Sequence, residues 1–324
     1  MDGRDSFRVL SVDGGGFLGL ATAKFIADSE QHFRARFSEN FQLYCGTSTG
    51  AIIALALAFG KSGPELVELY RRLGPLVFPY KSWLFRKFHG WKSLFISKYS
   101  GKALRELLEA EFGKTTLGDL RNRGKMVLIT AFSVTNGKPR LFKTNHSSNL
   151  TLDDSLTIAE VALASSAAPT FFPLVPIKWP GDEHAKLFCD GGVVANHPAL
   201  LGLAEALGEL QVPPGNLKVL SLSTPRMDIG SRTVWLWRRG VWQWKDPLPS
   251  IFIDGNAAIT HEAIKRIIRG YSDAQPEYVR IDLQNSDSLK MDLASAHVRG
   301  VLENIGSQKA ASNDVRPLIA PFLR

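Results

Sequence analysis

The chain has 324 residues, 44% of them hydrophobic and 22% charged, ample for one large α/β core or two modest ones. A net charge of +8 fits anionic partners such as lipid head groups or nucleotides without choosing between them. Only two cysteines, Cys45 and Cys189, are present, which excludes a disulfide framework and fits a reducing cytosol.

The charged start at Met1–Asp5 leads straight into a strand-like run and has no signal-peptide core. The longest unbroken apolar run, Ala51 to Phe59, falls well short of the ~20 residues that a membrane-crossing helix takes. The expectation is a cytoplasmic protein, soluble or peripheral.

Phe7 to Val12 reads as a buried strand. It ends in Asp13-Gly14-Gly15-Gly16-Phe17-Leu18-Gly19, and a helical run follows from Leu20 to about Phe37. Successive glycines at a helix start expose successive backbone N–H groups, which makes an anion nest. Gly14, Gly16 and Gly19 also spell the G-x-G-x-x-G of dinucleotide sites, so a nucleotide-binding Rossmann protein is one alternative. That fingerprint wants an acid ending the second strand, to hold a ribose. Here the second strand, Phe41 to Cys45, runs into Gly46-Thr47-Ser48-Thr49-Gly50 instead. The nest is better explained as an oxyanion hole, made by Gly14, Gly15 and Gly16, for the serine on the neighbouring strand.

Gly46 to Gly50 has the strand–turn–helix setting of a nucleophile elbow. Glycines at 46 and 50 let a sharp turn close around Ser48, and the following helix aims its free N–H groups and positive dipole end back at the serine. Taken alone, the pattern fits equally well a plain strand-to-helix turn of small residues.

Further on, Gly63 to Leu73 reads as a helix with Pro64 near its start. Phe78 to Phe95 holds seven aromatics, four Lys or Arg and no acid. Tyr99 to Phe112 is helical, with Leu104, Leu107, Leu108 and Phe112 on one face. Met126 to Val134 is a central strand, and Asn136-Gly137 signals a hairpin that returns Arg140 to Lys143 antiparallel. Thr157 to Ser165 is a helix, Lys186 to Cys189 a strand ending in Asp190-Gly191-Gly192, Pro198 to Leu210 a helix and Leu217 to Leu222 a strand. The last third holds Trp235, Trp237, Trp242 and Trp244 among Arg238, Arg239 and Lys245. A helix from about Ala257 to Arg269, a strand over Tyr278 to Leu283 and two more helical stretches close the chain. Strands alternating with helices predict a three-layer α/β fold with a mostly parallel central sheet covered on both faces. There is no internal repeat, low-complexity tract or linker, so residues 1–324 read as a single domain, with 225–324 its less recognisable extension.

The glycine nest, the serine elbow and Asp190-Gly191-Gly192 should all lie at the carboxyl edge of that sheet. Together they resemble the patatin-like phospholipases: Asp13-Gly14-Gly15-Gly16 with Gly19, Gly46-Thr47-Ser48-Thr49-Gly50, and Asp190-Gly191-Gly192 with Val194, Asn196 and Pro198. Ala167-Ala168-Pro169 with Phe171-Phe172-Pro173 also looks like the family's segment ahead of the aspartate. The resemblance covers about Phe7 to Leu210. It implies a Ser48–Asp190 dyad, in which Asp190 takes the serine proton and later activates water. It implies cleavage of acyl esters of membrane phospholipids, with no metal and no cofactor. Asp13 would tie down its own glycine turn, and Asn196 would support the Asp190 turn by side-chain hydrogen bonds. One departure stands out: the family usually has a basic residue where this chain has Leu18.

His197, His261 and His297 all follow Ser48 and keep a Ser-His-Asp triad of the α/β-hydrolase kind as a second alternative. The stretches 78–95 and 235–245 suit either a membrane interface or a cap over the site. In length, early glycine nest and basic balance the chain also resembles compact bacterial patatin-like effectors of anti-phage systems. That would make a cyclic dinucleotide or oligonucleotide an activator, the inner face of the membrane the working surface and a homo-oligomer an admissible assembly. DNA and RNA duplexes are not expected partners.

Overall fold

The computed structural model describes residues 6–78, 97–145, 152–227, 247–272, 274–285, 289 and 291–323. Apart from Phe78, the aromatic and basic stretches 78–95 and 235–245 lie outside the described residues.

The strands are β1 (Phe7–Val12), β2 (Leu43–Gly46), β3 (Met126–Ser133), β4 (Lys138–Lys143), β5 (Val175–Ile177), β6 (Lys186–Asp190), β7 (Leu217–Leu222), β8 (Arg226–Met227), β9 (Glu277–Ile281) and β10 (Gln284–Asn285). Eight of them form one sheet in the order β5-β6-β3-β2-β1-β7-β9, with β4 also on β3, while β8 pairs with β10 apart from it. The run β3-β2-β1-β7-β9 is parallel throughout. The pairings of β4 and β6 with β3, and of β5 with β6, are antiparallel.

The sheet is therefore mostly parallel, as expected, with an antiparallel flank at β4, β6 and β5. The reason is local. A parallel neighbour needs a crossover of a dozen or more residues, whereas β3 and β4 are joined by the tight turn at Asn136-Gly137, with Gly137 at φ 63°.

The principal helices are α1 (Gly19–Phe33), α2 (Thr49–Phe59), α3 (Gly63–Val77), α4 (Lys102–Phe112), α5 (Ile158–Ser166), α6 (Ala199–Ala204), α7 (Pro247–Arg269) and α8 (Ala296–Ala311). α1 stops four residues short of the expected end because Arg34 turns left-handed, φ 52°, and its N–H caps the Glu30 carbonyl. α6 stops at Ala204, and Glu205–Glu209 continue as a wider turn.

The period of two along the strands sorts side chains to two cores. Leu10 and Val12 of β1, Tyr44 of β2 and Val127, Ile129 and Ala131 of β3 pack with α1, α2 and α3 on one face. Val9, Leu43, Cys45 and Leu128 pack with Ala199 and Leu203 of α6 and Ile264 of α7 on the other. α2 is buried along almost its whole length, from Thr49 to Ala58, which explains a helix apolar on every side.

β1 lies between β2 and β7, so the chain winds outward from it in both directions. The loop after β1 thus opens at a topological switch point, where open α/β sheets leave a crevice for ligands.

Candidate active site

β3 has two edges, and the registers show how each is used. β4 takes one edge from Leu128 to Ser133. On the other, β2 covers β3 up to the pair Gly46↔Ile129, and β6 covers it from Asp190↔Ala131 onward. β2 and β6 therefore run head to head along one edge of β3, with Thr130 at the junction. The aspartate thus meets the carboxyl end of β2 from the opposite direction, on a strand antiparallel to β3.

Three contacts pin that junction. The Thr47 hydroxyl lies 2.7 Å from the Thr130 hydroxyl and donates to the Ala195 carbonyl at 2.7 Å. Gly191 passes so close over Thr130 that a Cβ there would sit 2.2 Å from the Thr130 Oγ1. This is a close approach that only glycine permits.

Ser48 holds φ 55° and ψ −123°, a conformation that costs a side-chain-bearing residue about 1–3 kcal/mol. The surroundings leave it no alternative. Its N–H donates to the Ser165 Oγ at 2.9 Å, and its carbonyl accepts from Ala51 at 2.9 Å and from Ile52 at 3.3 Å. At Gly50 a Cβ would meet the Val12 carbonyl oxygen at 2.2 Å, and at Gly46 the Gly50 carbonyl oxygen at 2.4 Å, so the elbow is wedged against β1.

The strained turn delivers the Ser48 hydroxyl to the Asp190 carboxylate, Oγ to Oδ2 2.6 Å. The other oxygen, Oδ1, accepts the Gly192 N–H at 2.7 Å, which fixes the carboxylate plane. Burial pushes the Asp190 carboxyl up to about 6, partly offset by the hydrogen bonds from Ser48 and Gly192. It is thus a stronger base than a solvated aspartate, yet still ionised near neutral pH.

The glycine loop closes over this pair. At Gly14 a Cβ would lie 3.2 Å from the Ser48 Cβ and 2.4 Å from the Asn196 Oδ1. The Gly14 N–H is already given to the Asn196 carbonyl at 3.2 Å, and the Gly14 carbonyl accepts the Thr224 hydroxyl at 2.7 Å. That corrects the three-donor expectation: among the described residues, the loop amides not taken by a protein acceptor are those of Gly15 and Gly16. Among the described residues Asn196 is tied in through its main chain, not through the side-chain hydrogen bonds expected. Its N–H donates to the Asn256 Oδ1 at 3.2 Å, while the Asn256 Nδ2 donates to the Val194 carbonyl at 3.1 Å. Gly19 packs against Thr49 and Tyr70, joining the loop to the elbow helix. Leu18, at the departure from the family pattern, is buried in the core.

The triad alternative fails on geometry. His197 Nδ1 meets the Ala257 carbonyl at 3.3 Å, and its Nε2 is taken by Ser221 and Arg280, both at 2.9 Å. Burial holds its imidazole below the usual range. His261 pairs with the Tyr278 hydroxyl at 3.0 Å, and His297 lies exposed on α8. The Ser48 hydroxyl instead meets a carboxylate. The Rossmann alternative fails as well, since the glycine loop embraces the serine. Both Cys45 and Cys189 are free and buried, with thiols pushed up by that burial.

Sequence reading missed the braces: Thr47, Thr130, Ser165, Thr224, Asn256 and Arg280. One signal was available for Arg280. Asp13 is buried at a strand end, and a buried carboxylate calls for a cation.

A hydroxyl on a strained elbow, a buried carboxylate against it and a glycine loop above are the parts of a serine acyl hydrolase. Comparison with known proteins supplies the family. The patatin-like phospholipase model matches residues 10–203, and the chain belongs to that family. A Pseudomonas aeruginosa protein called cGAMP-activated phospholipase is 30% identical over 323 residues, covering 99% of this chain and 93% of that one. An Escherichia coli protein of the same description is 37% identical over 212 residues, 63% of this chain and 57% of that one. Patatin-like protein 2 of Arabidopsis thaliana is 28% identical, with 93% and 82% covered. The chain is a lipid acyl hydrolase.

Proposed function

We propose that this chain cleaves acyl ester bonds of membrane phospholipids through Ser48 and Asp190, and that a cyclic dinucleotide switches it on. The observation that carries the chemistry is the 2.6 Å contact between the Ser48 hydroxyl and a carboxylate raised to about 6.

Asp190 takes the proton as Ser48 Oγ attacks the ester carbonyl. The oxyanion forms under the Gly15 and Gly16 N–H groups, with the N-terminal dipole of α2 behind the serine; one such donor is typically worth about 10²–10³ in rate. The intermediate collapses to acyl-Ser48, and the proton on Asp190 passes to the departing lysophospholipid alkoxide. Asp190 then deprotonates water, which attacks the acyl-serine. The fatty acid leaves and the proton returns to Ser48.

The near full-length likeness to a protein described as cGAMP-activated supports the switch. The near full-length match supports a single unit from end to end, as does the pairing of β9 with β7 in the main sheet; a role in antiviral defence belongs to the same proposal. Access to substrate is peripheral at the inner face of the membrane, where the +8 charge favours anionic lipid. Among the described residues no helix is long and apolar enough to cross a membrane.

The test is fatty-acid release from phosphatidylglycerol and phosphatidylethanolamine vesicles, with a panel of cyclic dinucleotides and without any. Release that depends on cGAMP or a related dinucleotide is expected. Full release with no nucleotide removes the switch, and no release under any condition removes the substrate class.

A further inference from the structure

The side chain of Arg280, on β9, is 3% exposed and that of Asp13 1% exposed, and the two pair through Nη2–Oδ2 at 2.6 Å. Its Nη1 also donates to the Ser221 Oγ at 2.7 Å and to the His197 Nε2 at 2.9 Å, and its Nε to the Asp282 Oδ1 at 2.9 Å. A carbonyl can only accept, so His197 Nδ1 carries the proton toward Ala257 and Nε2 is left as an acceptor. Arg280 therefore grips two different loops. Asp13 opens the glycine loop. His197 follows Asn196, whose carbonyl receives the Gly14 N–H and whose turn begins at Asp190. A guanidinium suits this task because its planar fork of donors can serve a carboxylate and two further acceptors at once. The residue lies outside the stretch that the family model matches.

We propose that Arg280 is a positioning residue for acyl transfer: it holds the glycine loop and the Asp190 turn at a fixed separation. The inference rests on the reading of Ser48, Asp190 and the Gly15–Gly16 amides given above. It acts through geometry, since an oxyanion donor misplaced by about 1 Å costs roughly 10²-fold in rate.

The test compares wild type, Arg280→Gln, Arg280→Lys, Asp13→Asn and the double variant Asp13→Asn/Arg280→Gln on a soluble short-chain p-nitrophenyl ester, with cGAMP present. Ser48→Ala and Arg71→Gln serve as controls, the latter on an exposed pair with Glu303. The readouts are kcat, KM, the acid limb of the pH profile and the melting temperature. Arg280→Gln is expected to lower kcat by about 30- to 100-fold with KM within about twofold and the acid limb unmoved. Arg280→Lys is expected to recover part of that loss. The double variant is expected to lose no more than the worse single one, because removing Arg280 already takes away the contact through which Asp13 acts. A folded Arg280→Gln with kcat within about threefold of wild type overturns the proposal, as does a double variant whose loss is the product of the singles. If Arg280→Gln does not fold, Arg280→Lys decides: an unchanged kcat overturns the proposal, and a fall of about fivefold or more at constant KM supports it. Activity retained in Ser48→Ala would sink the underlying reading instead, and Arg71→Gln should match wild type.

Discussion

Replacing Asp190 by Asn should make the protein more stable while removing its activity. The substitution conserves shape: the amide oxygen can accept the Gly192 N–H, and the amide nitrogen can donate to the Ser48 Oγ. Folding raises the carboxyl from its ordinary 3.8 to about 6, chiefly through desolvation. The native state therefore binds the proton more tightly than the unfolded chain. Between pH 4 and 6 it holds more protons, so this group's contribution to stability falls as pH rises through that window and is flat above it. A shift of about two units at about 1.36 kcal/mol per unit comes to about 3 kcal/mol of destabilisation at pH 7.5. The asparagine side chain carries no charge to desolvate and escapes that penalty. Urea melts of the two proteins should differ by about 3 kcal/mol at pH 7.5, by about half of that near pH 5 and by little at pH 4. All other titrating groups cancel in the comparison. An Asn variant that is no more stable at pH 7.5, or a difference that does not change with pH, would refute the buried, ionised base.

Hydrolysis should share the same titration. kcat/KM for a soluble ester rises tenfold per pH unit below about 6 and levels off above it, as Asp190 loses its proton; a profile flat down to pH 4.5 contradicts this role. Ser165→Ala removes the acceptor of the Ser48 N–H and should cost about 1–2 kcal/mol in a urea melt and roughly tenfold in kcat. Gly50→Ala forces a Cβ to within 2.2 Å of the Val12 carbonyl oxygen. It should destabilise by about 2–4 kcal/mol or prevent folding, and a variant with a wild-type melting temperature would show that the elbow has slack.

The elements that position the site were legible because they are written locally. The Ser48 turn is announced by glycines on both sides and by an apolar helix behind it, and the Asp13 loop by three glycines after a strand. What sequence order could not convey is strand direction. Nothing in Lys186 to Asp190 says that this strand runs against β3, or that it ends where β2 ends on the same edge. The assignment of Gly14 as a donor failed for a related reason. Its N–H is consumed by Asn196, 182 residues later in the chain. Other braces were invisible for the same cause, since Thr130 and Asn256 carry no local signature and acquire their meaning only through long-range pairing. The histidines looked eligible as bases by order alone, and it took burial and the partners of His197 to remove it.

The most direct measurement is product analysis of a mixed-chain phospholipid in vesicles with cGAMP, for wild type, Ser48→Ala, Asp190→Asn and the double variant His261→Ala/His297→Ala. The account predicts fatty acid and lysophospholipid from wild type and from the histidine variant at comparable rates. Ser48→Ala and Asp190→Asn should each fall by at least about 10³-fold. Turnover that survives in Asp190→Asn, or that vanishes with the two histidines, would contradict a hydroxyl activated directly by a carboxylate.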